Sequence, residues 1–427
     1  MTTIIDNPMT DDATREAGSG RSPALGSPSQ RRRRFGGTLL LVALGAFGVT
    51  RFIVAEPSTT AEAPLVVTEL ATVTANDLAA LRAAAERSPD DLRAIQALGV
   101  AHVRAASTDP ANYSLARAAF DRADRIRPND TSTQLGRGLL SMSLHQFDVA
   151  LTQADRILAA NPDLDAAHQL RFDALMEIGR YDEAETTLER LLATEPGLPV
   201  YTRVSYLRQV LGDMDGAISA MRQAVTAGDA TPLAQAEALA LLGDLYFIEG
   251  DLDRAEVERI RALELDPDLP LAQFGLAEVL AAQGELANAE DMLERLVLRW
   301  PAPAALVVLG DVRSSLNDQV GAQAAYDRAA SEFAALDAAG EIVDLEQSFF
   351  EFDHGDPDLG LRLARAAYKS RPESVLTADA LAWALHRSGD DGGARAMATR
   401  ALRFGTIDHP LNLHSRVILA GVPSARS

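Results

Sequence analysis

Residues 235–267 read QAEALALLGDLYFIEGDLDRAEVERIRALELDP and contain one complete helix–turn–helix unit. Leu239, Leu242 and Tyr246 recur at helical spacing up to Gly250. A second helical stretch runs through Leu252, Ala255 and Ala262 to Pro267. Each mark has a physical task. Glycine lets the chain leave the first helix in a left-handed conformation, and Asp251 after it caps or charges the start of the next helix. Alanine lets two helices approach closely, and proline ends the second helix.

The same marks recur outward from this unit. Pro128, Pro162 and Pro196 are 34 residues apart, as are Pro267 and Pro301, and the intervals from Pro196 to Pro267 and from Pro301 to Pro372 are both 71. A small residue recurs at Ala116, Ala150, Ala184, Ala217, Ala255, Ala289, Ala322, Gly360 and Ala394, with gaps of 33, 34 or 38. Gly179, Gly212, Gly250, Gly284, Gly355 and Gly389 each precede that residue by five. A fixed period of this length is the signature of stacked helix pairs.

With Leu-Gly, Tyr, Gly, Ala, Ala and Pro at these spacings, the unit resembles the tetratricopeptide repeat. The resemblance covers about nine units over residues 91–405, with a leading half-repeat near Leu78 to Pro89 and a lone helix near Leu411 to Ala420 capping the last unit. It implies an all-α fold, a right-handed α-solenoid, and a non-catalytic scaffold that binds a protein or peptide. Departures are local. About five extra residues lie between Ala106 and Asn112, and a longer loop or an extended helix is expected at 227–235 and 330–341. Gly360 stands where alanine is expected, and Asn317 where the turn glycine is expected.

In such solenoids the first helix of each pair lines the concave surface. Two register positions then predict a peptide groove of Asp173, Tyr206, Asp244, Phe247, Glu278, Asp311, Phe349, Phe352 and Trp383, acidic in the middle and aromatic toward the C-terminal end. That surface suits a basic segment with an apolar anchor. Family members that clamp a C-terminal carboxylate use Lys and Asn on this face, and here acids occupy those places. A second reading stays open: the acids are a solvated face that keeps the protein soluble, and Phe349, Phe352 and Trp383 pack between helices.

Upstream of the repeats, residues 1–34 form a polar tail ending in Arg31–Arg34, expected to be disordered. Residues 35–55 are apolar, and Gly36 to Ala55 would make a helix of about 30 Å, the thickness of a bilayer core. Arg51 lies within reach of the far interface by snorkelling. Arginines on one flank and Glu56 and Glu62 on the other predict a single-pass anchor in the cytoplasmic membrane, N-terminus inside and solenoid outside, and the resemblance implies a bacterial protein. The alternative is a cleaved signal with Ala61-Glu62-Ala63 as the cleavage motif, which Pro64 disfavours, and a secreted or periplasmic peptide-binding protein. Residues 56–74 read as a linker and 75–427 as the solenoid.

Composition limits the chemistry. There is no cysteine, which excludes disulfides, thiol nucleophiles and cysteine-ligated zinc. Residues 1–55 hold seven of the 40 bases and four of the 61 acids, which leaves the remainder at −24 and ill suited to nucleic acid. Aromatic residues are 5%, in keeping with helices packed through small side chains. Seven scattered histidines show no metal-ligand spacing, and the acidic run 353–358 lacks the distal glutamate of a calcium loop. No phosphate-binding, dinucleotide, nucleophile-elbow or zinc-protease motif occurs. The expectation is no cofactor, no metal and no enzymatic activity; a regulatory subunit of a separate enzyme is the weaker alternative.

Overall fold

The computed structural model describes residues 75–406 other than 195 and 229, together with 414 and 417–421. The described residues form an all-helical repeat solenoid of nineteen helices with no strand. After a leading helix α1 (Ala75–Arg87), nine pairs follow. The first four are α2 (Leu92–Ala105) with α3 (Asn112–Ile126), α4 (Thr131–Ser143) with α5 (Phe147–Ala160), α6 (Asp165–Ile178) with α7 (Tyr181–Thr194), and α8 (Leu198–Val210) with α9 (Met214–Thr226). Next come α10 (Pro232–Glu249) with α11 (Leu252–Leu265), α12 (Pro270–Gln283) with α13 (Leu286–Val297), and α14 (Pro303–Ser315) with α15 (Gln319–Ala339). The last two are α16 (Asp344–His354) with α17 (Pro357–Ser370), and α18 (Val375–Arg387) with α19 (Asp391–Ala401).

The repeat marks work as their chemistry requires. Five turn glycines, 179, 212, 250, 284 and 389, have φ between 82° and 90°, and Asn317 takes the same left-handed conformation at 65°. Gly355 does not: its φ is −127°. There the carboxylate of Glu351 accepts the Asp356 N–H at 2.8 Å, so a side chain closes the turn before Pro357. The eight alanines of the 34-residue ruler are at most 2% exposed, which leaves no room for a larger side chain. At Gly360 the ring of Phe352 fills the place a methyl would take.

The irregular joints resolve individually. A six-residue linker, 106–111, separates α2 from α3. One 38-residue interval is taken up between the end of α9 at Thr226 and the 18-residue α10; the other is the 21-residue α15.

First helices pack on first helices of the next pair, α2 on α4, α4 on α6 and so on to α12 on α14. A second kind of contact joins units far apart in sequence. The turns inside units two, three and four dock on the loops that follow units seven, eight and nine. Ile342 N–H donates to Leu144 O (3.0 Å), Val375 N–H to the Tyr181 hydroxyl (3.1 Å), and the Thr406 hydroxyl to Val210 O (2.6 Å). Phe404 meets Tyr181 edge to face at 5.6 Å. The three hydrogen-bonded pairs are 194 to 198 residues apart, a nearly constant offset, so they form one seam.

Among the described residues no helix is long and apolar enough to cross a membrane. The tail 1–34, the expected anchor 35–55 and the linker 56–74 lie outside the described residues. So does part of the expected capping segment, of which His414 and 417–419 are helical.

Candidate functional site

A cavity of about 370 Å³ lies against the inner helices, walled by α4, α6, α8, α10 and α12 and by the ends of α2 and α15. Its apolar surface includes Leu139, Met142, Leu241, Phe274, Trp300 and Phe333. Phe274 and Trp300 meet edge to face at 5.9 Å. Seven carboxylates border the cavity, from Asp173, Glu177, Glu237, Asp244, Glu332, Glu341 and Glu346, against Arg104, Arg203 and His145.

Several of these acids are already engaged. Asp173 receives Arg203 bidentately, Nε to Oδ1 at 2.9 Å and Nη2 to Oδ2 at 2.6 Å. Burial still lifts its carboxyl to about 6, against the pull of Arg203. Asp244 pairs with Arg259, a guanidinium only 1% exposed that lies over Gly243 and Gly275, where a Cβ would collide with it. Burial raises Glu237 to about 7, although the charge of Arg104 opposes it. The Tyr206 hydroxyl donates to Glu177 at 3.2 Å.

Of the nine residues read as a groove, the structure brings three to this wall: Asp173, Tyr206 and Asp244. Phe247 is half-buried against the core around Leu245 and Tyr246. Glu278 is 6% exposed behind the wall, its carboxyl lifted to about 8 by burial and by Asp244. Asp311 accepts the Tyr326 hydroxyl at 2.7 Å, and burial with Asp353 nearby lifts it to about 7. His354 stacks on Tyr326 at 4.0 Å between centroids and is pushed down to about 4 by burial.

The aromatic end of the expected groove is core. Phe349, Phe352 and Trp383 are 7%, 3% and 4% exposed, and the His414 ring stacks on Trp383 at 4.3 Å and donates from Nδ1 to Asp379 Oδ2 at 2.7 Å. His414, Val417 and Ile418 pack on the α16 and α18 register that points them inward, which a count along single repeats does not reveal. Conversely, that count misses Trp300, Phe333, His145 and Glu341, which come from loops and the far half of a second helix, and Glu346, which lies in the first turn of α16, off the two register positions counted. Among the described residues no group of three or more His, Asp or Glu is placed to hold a metal ion.

Family models for the tetratricopeptide repeat match residues 141–205 and 205–270. No curated protein matches the chain. Solved structures similar to it include the APC/C hetero-tetramer Cut9–Hcn1, at 15% identity and TM-score 0.46, over 76% of this chain and 63% of that one. The chain thus spans less than two thirds of that protein. Another is a human IFIT1 dimer with PPP-AAAA, at 17% identity and TM-score 0.47, over 77% of each chain. A third is a tetratricopeptide repeat protein from Parabacteroides merdae, at 15% identity and TM-score 0.40, over 61% of this chain and 98% of that one.

Proposed function

We propose, from the premise that this chain carries tetratricopeptide repeats, that it is a non-catalytic scaffold which holds a segment of a partner protein in its inner cavity. The observation that carries this reading is the cavity itself, where an apolar surface around Phe274, Trp300 and Phe333 is bordered by carboxylates in excess over bases. An apolar side chain of the partner would anchor on the aromatic floor, and lysines or arginines beside it would meet Glu177, Glu332 and Glu346. The partner is therefore basic with an apolar anchor, a segment and not a nucleic acid.

The sequence of residues 31–55 supports tethering of this scaffold to the cytoplasmic membrane by one helix, with the repeats on the outer side. Mass spectrometry of the mature N-terminus tests it: retention of residues 1–34 fits the anchor, and a start after Ala55 or Ala63 fits a cleaved, secreted peptide-binding protein.

The binding reading is tested with the detergent-solubilised full chain and a fluorescent amphipathic Lys/Leu peptide. Affinity should fall as salt rises, and Trp300→Ala should weaken it about tenfold, ~1.4 kcal/mol. Binding indifferent to both refutes the cavity as the site. An enzymatic activity that copurifies with the chain and depends on it would instead make it a regulatory subunit.

A further inference from the structure

We propose that the contact between the α4–α5 turn and the α15–α16 loop is a latch on the cavity, closed when His145 carries a proton and released when it does not. This part of the seam is polar. Besides the Ile342 N–H to Leu144 O bond, His145 Nδ1 donates to Ile342 O at 2.9 Å, Gln146 Nε2 to Gly340 O at 3.2 Å, and the Tyr113 hydroxyl to Glu341 Oε2 at 2.9 Å. Hydrogen bonds that exchange with water contribute modestly, so such a contact parts more readily than an apolar one.

The charges around His145 come from every element packed on it. The α15–α16 loop brings Glu341, 4.0 Å from Nδ1; α16 brings Glu346 and Asp344; the end of α17 brings Arg371, which bonds Asp344 at 2.9 Å and lies over Phe147. From α3 comes the Tyr113 hydroxyl, and Phe147 stacks on the imidazole at 5.4 Å. With His145 protonated, two cations face three carboxylates; without it, Arg371 faces them alone. One oxygen of Glu346, Oε2, is buried without a protein partner.

Tyr113, His145, Glu341, Val343 and Glu346 all border the cavity, so parting this contact opens the cavity sideways. Burial works against the protonated ring, but Glu346, Glu341 and the Ile342 carbonyl outweigh it and hold His145 above the ordinary 6.5. A raised value in the closed state means the latch has full strength below about 6.5 and loses it as pH rises through the higher value. Glu341 and Glu346 are raised by burial and act in the same direction.

The chain has no cysteine, so Asp148→Cys with Asp337→Cys places two spin labels uniquely across the contact in the full chain in detergent. Pulsed dipolar spectroscopy should show one short distance at pH 6 and a second, longer population at pH 9. Each unit by which the closed state raises the histidine moves the open-to-closed ratio about tenfold. His145→Asn removes the imidazole's titration while tolerating the φ of 54° at this position, and the change in its distances from pH 6 to 9 should be smaller than in the wild type. Glu346→Gln, which takes away one charge holding the proton, should shift opening to lower pH. A wild-type distribution unchanged from pH 6 to 9, or a full response retained by His145→Asn, overturns the latch. As a gate the latch rests on the cavity being the binding site. The label distances do not, so a Lys/Leu peptide that binds at neither pH would overturn the cavity reading alone.

Discussion

Gly179 and Gly250 occupy equivalent turns and have nearly the same backbone, with φ of 90° and 87°. Alanine at either must adopt the left-handed conformation, at roughly 1–2 kcal/mol. Their surroundings differ. A Cβ at Gly250 meets nothing within 4 Å, whereas one at Gly179 collides with the backbone of Glu373 and Ser374 across the seam. Carbon atoms rest about 3.5–4.0 Å apart, so the loop before α18 must retreat by roughly an ångström. That displacement breaks the buried bond from Val375 N–H to the Tyr181 hydroxyl, at 3.1 Å. A buried donor left unpaired costs about 1–3 kcal/mol. Gly179→Ala should therefore cost about 1–3 kcal/mol more than Gly250→Ala. The sensitive assay is hydrogen exchange at the start of α18, because local opening reports that free energy directly. Exchange over residues 374–378 should quicken about five- to 150-fold in Gly179→Ala and stay unchanged in Gly250→Ala. Equal effects of the two substitutions on that segment would refute the seam as a stabilising contact.

Arg259→Ala leaves Asp244 without its buried partner and should destabilise the chain by about 3–5 kcal/mol, measured by urea unfolding. Glu278, at 4.5 when unfolded and about 8 when folded, favours the folded state most below pH 4.5 and loses that contribution as pH rises toward 8. Glu278→Gln should thus flatten the unfolding midpoint between pH 5 and 8; a wild-type slope in the variant would show another group to be responsible. Gly360→Ala restores the residue found at the other eight units, yet its methyl would sit 2.9 Å from the Phe352 ring and 3.1 Å from Ser348 O. It should destabilise by about 1–3 kcal/mol, whereas glycine to alanine in an open helix stabilises by about 0.5–1 kcal/mol. Thermal unfolding gives the sign.

The helix pairs were legible because each mark acts within one repeat. Gly250 needs only its own φ, Asp251 caps the helix that follows it by accepting the Arg254 N–H, and Ala255 needs only the neighbouring helix. Gly355 misled because its turn is closed by Glu351, four residues back, a substitute that a glycine count does not see. The wall of the cavity was legible only in part. First-helix register finds Asp173, Tyr206 and Asp244, but it cannot tell that Arg203, 30 residues along the chain, occupies Asp173, or that Arg259 reaches Asp244 through the gap over Gly243 and Gly275. A long arginine chooses among several acids within reach, and only packing decides which.

The sequence by itself determined the repeat and the left-handed turns, since these depend on contacts within about one period. Which turn glycines also serve as contact points, and which carboxylates border an open cavity, was decided by tertiary structure alone. The angle between successive units accumulates over some 200 residues before His145 meets Glu341, and a small error per unit would place another loop there. No local signal fixes that sum, so Gly179 and Gly250 look alike along the chain and differ only in what lies against them.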